Sequence, residues 1–198
     1  ITIVNPVPTA NAGENVVMCS GTTSNLGSLG TSGIIYSWTP GLGLNDSTIS
    51  NPIIVASNTT LNPFTINYTL VATDTTTNCF ASDTVSVTIN PQPLLVINQP
   101  LAVCQSNFIN LTNSAITQGS IGGNTYSYWQ NSSATDTLSS TLISTSDTNF
   151  IKLTAIGGCF DIDSVITIVN PLPIANAGDN ISICSGVIDS IGTTSTIG

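Results

Sequence analysis

Apolar and polar residues alternate with a period of two along much of this chain. The pattern is clearest at 84–89, where Val85, Val87 and Ile89 fall on one side and Thr84, Ser86 and Thr88 on the other. Successive side chains of a strand point to opposite faces, so this run predicts a half-buried β-strand. Similar reasoning predicts strands over 15–19, 33–38, 66–73, 125–129, 148–155 and 160–169. Turn clusters separate them, among them Pro40-Gly41-Leu42-Gly43, Asn45-Asp46-Ser47 and Gly157-Gly158. No apolar run follows the i, i+3, i+4, i+7 spacing of a helix, and Glu, Lys, Arg and Gln are scarce. Short strands that must each bury one face predict an all-β fold of two-sheet sandwiches.

The pattern also repeats on a longer scale. Ile1-Thr2-Ile3-Val4-Asn5-Pro6-Val7-Pro8, followed by Ala10-Asn11-Ala12-Gly13, returns as Ile166-Thr167-Ile168-Val169-Asn170-Pro171-Leu172-Pro173, followed by Ala175-Asn176-Ala177-Gly178. A weaker copy of the proline motif stands at Ile89-Asn90-Pro91-Gln92-Pro93. The spacing is roughly 80–85 residues, too long for a solenoid repeat and suited to small tandem domains. The expected organisation is therefore a last strand and hinge over 1–8, one sandwich over 9–93, a second over 94–173, and the start of a third over 174–198. In each Asn-Pro-x-Pro hinge the two prolines (Pro6 and Pro8, Pro91 and Pro93, Pro171 and Pro173) fix φ and bias their predecessors toward extended backbone. That makes a stiff linker, and sandwiches strung on it form a semi-rigid rod. The plainer alternative is that linkers of any kind collect prolines.

Composition narrows the function. The chain has one basic residue, ten acidic ones and no histidine, a formal charge of −9, with 6% charged and 40% hydrophobic residues. A nucleic-acid partner is excluded, since Lys152 alone cannot neutralise a phosphate backbone. The apolar share is that of a folded domain rather than a disordered acidic tail. No segment reaches the ~20 consecutive apolar residues of a membrane-spanning helix.

Each 80-residue unit holds two cysteines. Cys19 and Cys79 fall in the first, Cys104 and Cys159 in the second, and Cys184 repeats the place of Cys19, its partner expected outside the chain. The expected disulfides are Cys19–Cys79 and Cys104–Cys159, each closing a loop long enough to stabilise by about 4 kcal/mol. A metal site is the competing reading, but no CxxC pair and no histidine is present to complete tetrahedral ligation. Paired cysteines persist in oxidising compartments, which implies an extracellular, cell-surface location. Trp38 and Trp129 lie between the paired cysteines and are expected in the cores; an exposed tryptophan serving as a sugar platform is the alternative.

Pro8 to Asn15, Cys19-Ser20-Gly21, Leu29-Gly30, Tyr36-Ser37-Trp38-Thr39-Pro40, Gly43-Leu44, Asn51-Pro52, Tyr68-Thr69-Leu70 and Asp83-Thr84-Val85 together resemble the PKD-like and Ig-like repeats of Bacteroidota surface proteins. Such repeats occur in SprB-like giant gliding-motility adhesins and other products of the type IX secretion system. The resemblance covers the first unit and the start of the third. The second unit departs from it, with Tyr126-Ser127-Tyr128-Trp129-Gln130 lacking the Trp-Thr-Pro turn and Val103-Cys104-Gln105 lacking Ala-Asn-Ala-Gly. The resemblance implies a β-sandwich stalk outside the outer membrane.

Catalytic chemistry finds little support. Without histidine there is no Ser/His/Asp or Cys/His arrangement, and no phosphate loop is present because the glycines sit in turns. Lys152 could act as a nucleophile or isopeptide partner, but a solvated lysine on a strand face is the simpler reading. Asp161 and Asp163 share one face of the last strand of the second unit, a spacing that could hold Ca²⁺ or support glycoside hydrolysis. The first unit matches Asp163 with Asp83 but has Ala81 in place of Asp161, so the pair is not a repeated feature. No catalytic residue, no metal site and no cofactor is therefore expected. Asp followed by Ser or Thr is the O-glycosylation pattern of Bacteroidota; by that resemblance the acceptors are Ser47, Thr75, Thr84, Thr137, Ser164 and Ser190. The same dipeptides are common turn formers.

The expected function is non-catalytic: a structural and adhesive repeat segment forming an extended stalk or surface filament for adhesion or gliding. Its partners are the neighbouring repeats, identical chains in a filament, or surface glycans. The low charge favours self-association, since few charged residues guard the strand edges. The alternative is a spacer or carbohydrate-binding module of a secreted polysaccharide-degrading enzyme.

Overall fold

The structure, a computed structural model, describes residues 3–175, 177–178 and 180–188. Its strands are β1 (Val16–Cys19), β2 (Thr23–Asn25), β3 (Ile34–Thr39), β4 (Ile53–Val55), β5 (Phe64–Asp74), β6 (Phe80–Asn90), β7 (Val103–Cys104), β8 (Ile109–Asn110), β9 (Thr125–Trp129), β10 (Leu142–Ile143), β11 (Asp147–Thr154), β12 (Phe160–Thr167) and β13 (Val169–Asn170). No helix occurs among the described residues. The fold class is all-β, as the alternation predicts. The long strands lie where the period-two runs are; the additional ones, such as β2 and β4, are only three residues long and too short to leave a periodic signature.

The chain forms two compact units. The first comprises Ile1–Val96, Gly119–Ser127 and Ile151–Asp163; the second comprises Ile97–Gln118, Tyr128–Phe150 and Ser164–Gly198.

In the first unit a four-stranded sheet has the order β1-β6-β5-β3, and β2 and β4 form a separate antiparallel pair. β5 and β6 make a long antiparallel hairpin, with Thr73 opposite Phe80 at its turn and Phe64 opposite Ile89 at its far end. The alternation of β6 is realised: Val85, Val87 and Ile89 are buried while Thr84 is exposed. Together with Trp38, Ile54, Tyr68 and Leu70 they form one apolar cluster between the two layers. Each such side chain, fully buried, contributes about 1.5–3 kcal/mol. The two tyrosine and tryptophan polar groups are satisfied: Tyr68 Oη donates to the Leu42 carbonyl at 2.6 Å and Trp38 Nε1 to the Ile49 carbonyl at 2.8 Å. The Thr39–Pro40 peptide is cis.

The first strand joins the sheet differently from the rest. β1 runs parallel to β6, with Val16 opposite Val87 and Cys19 opposite Asn90. Parallel neighbours require a crossover, and here the body of the sandwich supplies it, so the start of the chain is clamped beside the strand that precedes Pro91.

The second unit contains the antiparallel pair β8–β10 and the parallel pair β7–β13. In the latter Val103 is opposite Val169 and Cys104 opposite Asn170. Leu111, Ile109, Ile116 and Ile143 are buried within it. The strands β9, β11 and β12 pair in the order β12-β11-β9.

Candidate functional site: a cross-linked joint

Cys19 is bonded to Cys159, with 5.7 Å between their Cα atoms and 140 residues of chain between them. Cys79 and Cys104 carry free thiols, as does Cys184. The expected Cys19–Cys79 and Cys104–Cys159 pairs are thus not formed. Strand geometry gives the reason. Cys19 pairs in register with Asn90 at the end of β6, whereas Cys79 precedes Phe80 at its start. At about 3.3 Å per residue, the length of β6 puts those two cysteines roughly 35 Å apart, far beyond the ~7 Å Cα limit of a disulfide. Cys104 is likewise in register with Asn170, eleven residues after Cys159. Counting two cysteines per sequence repeat says nothing about which end of the sheet each one occupies.

Each half of the bond has a rigid backbone seat. After Cys19 the chain turns at Gly21, which has φ +85°. Thr22 returns both its N–H (3.1 Å) and its hydroxyl (2.7 Å) to the Cys19 carbonyl, and Ser20 N–H donates to the Asn90 carbonyl at 2.9 Å. Cys159 closes the turn between β11 and β12: its carbonyl accepts from Ala155 N–H at 2.8 Å, and Gly158 N–H donates to the Ala155 carbonyl at 3.1 Å. Gly157 and Gly158 both take positive φ there. Cys159 is buried.

Polar contacts continue away from the sulfurs. The buried Asn90 donates its side-chain amide to the Gly157 carbonyl at 3.4 Å. Gln92 Nε2 donates to the Phe160 carbonyl. Asp161 accepts the Leu95 N–H and its own neighbour's Ile162 N–H, both at 2.9 Å. Leu94 and Ile121 exchange two backbone hydrogen bonds of 3.0 Å. Between these groups Pro91 and Pro93 are buried, so this proline pair is packed as well as conformationally restricted. By contrast Pro6, Pro171 and Pro173 are exposed and Pro8 is half-buried.

Asn58 completes the site, and sequence reasoning missed it. Its buried amide bridges the Asn62 carbonyl at 2.9 Å and the Ile89 carbonyl at 2.8 Å, its N–H donates to Ser20 Oγ at 2.9 Å, and its Oδ1 accepts from Thr60 N–H. One asparagine thereby pins loop 58–62 to the turn beside Cys19. The only signal was an Asn-x-Thr triplet, one of many in a chain so rich in Asn, Ser and Thr.

The remaining predicted residues fall into ordinary places. Trp38 is buried in the core and offers no sugar platform, while Trp129 is half-buried. Lys152 lies half-buried on β11, its Nζ 3.8 Å from the centroid of the exposed Phe160 ring, a cation–π contact. Asp161 is committed to two backbone N–H groups, and among the described residues no group of three or more His, Cys, Asp or Glu could hold a metal ion. No described helix is long and apolar enough to cross a membrane.

Among the glycosylation acceptors Thr75, Thr84 and Thr137 are exposed, Ser47 and Ser164 are half-buried, and Ser190 lies outside the described residues. Two of the motifs are turns held by their aspartates. Asp46 accepts from the N–H (2.8 Å) and hydroxyl (2.7 Å) of Thr48, and Asp74 accepts from those of Thr76 (2.7 and 2.6 Å). These hydrogen bonds, the hydroxyl one foremost, hold both carboxyls below the usual aspartate range.

Sequence comparison finds no matching family model and no matching curated protein. Solved structures with similar chain traces are tandem immunoglobulin arrays. They include extracellular domains 3–5 of Drosophila OTK (TM-score 0.47, 11% identity, 79% of this chain and 59% of that one). Titin domains I67–I69 in an E-to-A variant give a TM-score of 0.40 at 13% identity, over 81% of this chain and 64% of that one. Sidekick-1 immunoglobulin domains 1–4 give 0.40 at 12%, over 79% and 47%. The chain thus spans less than two thirds of the length of each of these three.

Proposed function

We propose that this chain is a load-bearing, non-catalytic segment of an extracellular stalk, built from β-sandwich repeats at 9–93 and 94–173. The observation that carries the reading is the Cys19–Cys159 bond. It ties β1, which opens the first sequence repeat, to the turn before β12 in the second, two segments that pack within the same compact unit, across a buried Pro-x-Pro linker. A flexible spacer has no use for such a bond. An element that must keep its length does, because tension entering near Cys19 passes through the sulfurs to Cys159 and bypasses everything folded between them. The disulfide fits an oxidising, extracellular setting. The Asn-Pro-x-Pro and Ala-Asn-Ala-Gly motifs support a Bacteroidota surface repeat, with neighbouring repeats as the principal partners. Burial of Trp38 removes the aromatic platform that a carbohydrate-binding reading of the first sandwich needs.

Two measurements test this. Pulled by its ends in a force experiment, the oxidised chain should unfold to an extension shorter than the reduced chain by the 140 residues between the sulfurs, roughly 460–500 Å at full stretch. Equal extensions would remove the load-bearing role. Immunogold labelling of producing cells with antibody to 9–93 should mark structures standing off the cell surface, and label confined to the cell interior would overturn the stalk reading.

A further inference from the structure

Cys104 occupies the same backbone setting as Cys19. Each ends the strand that runs parallel beside an Asn-Pro hinge, Cys19 opposite Asn90 and Cys104 opposite Asn170. The next residue donates its N–H to that asparagine's carbonyl in both cases, Ser20 at 2.9 Å and Gln105 at 2.8 Å. The carbonyl of each cysteine then accepts the N–H three residues on, Thr22 and Asn107, both at 3.1 Å. The residue two places after each cysteine has positive φ, +85° at Gly21 and +83° at Ser106. For a serine that conformation is uncommon, so the turn is imposed by its setting rather than by residue preference. Cys184 repeats the turn, with Val187 N–H at 3.1 Å from its carbonyl and φ +91° at Gly186.

Cys79 in turn matches Cys159. Each immediately precedes a phenylalanine that opens the long returning strand, Phe80 and Phe160. The carbonyl of each accepts the N–H of the residue that begins its turn, Asp74 at 2.9 Å and Ala155 at 2.8 Å. The residue before each is in the left-handed region, Asn78 at φ +57° and Gly158 at +85°. Thus the chain holds one completed bond between a strand-end cysteine and a turn cysteine, and further thiols in both of those settings.

We infer that Cys104 and Cys79 are the two complementary halves of that same cross-link, each made with another repeat. Cys104 bonds the turn cysteine of the repeat that follows it, and Cys79 bonds the strand-end cysteine of the repeat that precedes it. Cys184 extends the series. This inference rests on the repeat reading above and specifies how the repeats are held. Each joint forms when two thiols lose two protons and two electrons to a disulfide-bearing oxidant, a protein or small-molecule disulfide that leaves as the dithiol. The closed loops then overlap, because Cys104 lies inside the loop bounded by Cys19 and Cys159. Tension on such an array runs from sulfur pair to sulfur pair, and no sandwich between them can be drawn out without reduction.

Peptide mapping of the native protein, alkylated without reduction, tests the inference. The expected result is a Cys19–Cys159 linked peptide, a Cys104 peptide linked to one whose cysteine directly precedes a returning strand, and a Cys79 peptide linked to one ending an opening strand. Reduction should release all three. Alkylated Cys79 and Cys104 in a protein whose other peptides include further repeats would overturn the cross-link series and leave the repeat stalk standing. Absence of further repeat peptides would overturn both. Linkage of Cys104 to a second copy of this protein, shown by a dimer on non-reducing gels, would also overturn it in favour of a bond between chains.

Discussion

Asn90 donates its side-chain amide to the Gly157 carbonyl, and that glycine leaves the amide just enough room. A Cβ on Gly157 would stand 2.4 Å from Asn90 Nδ2 and 2.7 Å from its Cγ, with the backbone already at φ +96°. Gly157→Ala should therefore lower stability twice over, through left-handed strain of about 1–2 kcal/mol and through displacement of a buried amide. Gly158→Ala is the internal comparison: φ is +85° but nothing lies within 4 Å of the added carbon, so only the strain remains. Urea unfolding of the oxidised chain should rank wild type above Gly158→Ala and Gly158→Ala above Gly157→Ala. Equal losses would mean that the Asn90 contact contributes nothing.

Asp83 holds the beginning of the first sandwich in the way Asp161 holds residue 95. One carboxylate oxygen accepts the N–H of the buried Ala12 at 2.8 Å and the other accepts Thr84 N–H at 2.8 Å. Asp83→Ala strands the Ala12 N–H and should cost about 2 kcal/mol, in the range for a hydrogen bond to a charged group. Asp83→Asn retains one acceptor oxygen and should lose less. The denaturant midpoint checks this, and an alanine variant as stable as wild type would show that water replaces the carboxylate.

That pair also marks how far the sequence could be read. Aligning Cys79 with Cys159 matches Asp83 to Asp163, yet the residue with the role of Asp83 is Asp161. A shift of two residues keeps the same face of the strand, so alternation could not detect it. Long strands such as β6 were legible because Val85, Val87 and Ile89 are buried in alternation with less buried polar neighbours. The parallel placement of β1 was not, since four residues of Val-Val-Met-Cys carry no sign of their partner's direction. The wrong disulfide pairing followed from that gap: once Cys19 is known to sit at the Asn90 end of β6, Cys79 is out of reach and the turn at 155–159 is the thiol source at hand. Asn58 illustrates the other limit, being indistinguishable in sequence from the many asparagines that face solvent.

Acid should weaken the fold through Asp46 and Asp74. Their carboxyls are held below the ordinary value of 3.8 by hydrogen bonds from Thr48 and from Thr76 and Thr77. A depressed folded-state pKa gives stability that is present above the unfolded value and disappears as pH falls through the lower folded one. The urea midpoint should thus hold steady down to about pH 4 and decline below it. The double substitution of Asp46→Asn with Asp74→Asn keeps both turn acceptors and removes their titration, so its decline should be shallower. An unchanged slope would assign the acid sensitivity to other carboxylates.

Alkali should act on Tyr68. Burial pushes its phenol above the ordinary value of 10.0, and its hydroxyl donates to the Leu42 carbonyl. In a folded state that favours the neutral phenol, its contribution is complete below the unfolded pKa and is lost as pH rises through the folded one. Tyr68→Phe preserves the ring in the core beside Trp38 and Leu70 and deletes the hydroxyl. At neutral pH the variant should be less stable by about 1 kcal/mol, the net value of one ordinary hydrogen bond. Between about pH 10 and pH 11 the gap should close, because wild type loses stability to ionisation of the unfolded phenol and the variant has no phenol there to ionise. Urea midpoints for both proteins at the two ends of that range decide the matter: a gap that stays constant would mean that Tyr68 ionises as readily folded as unfolded.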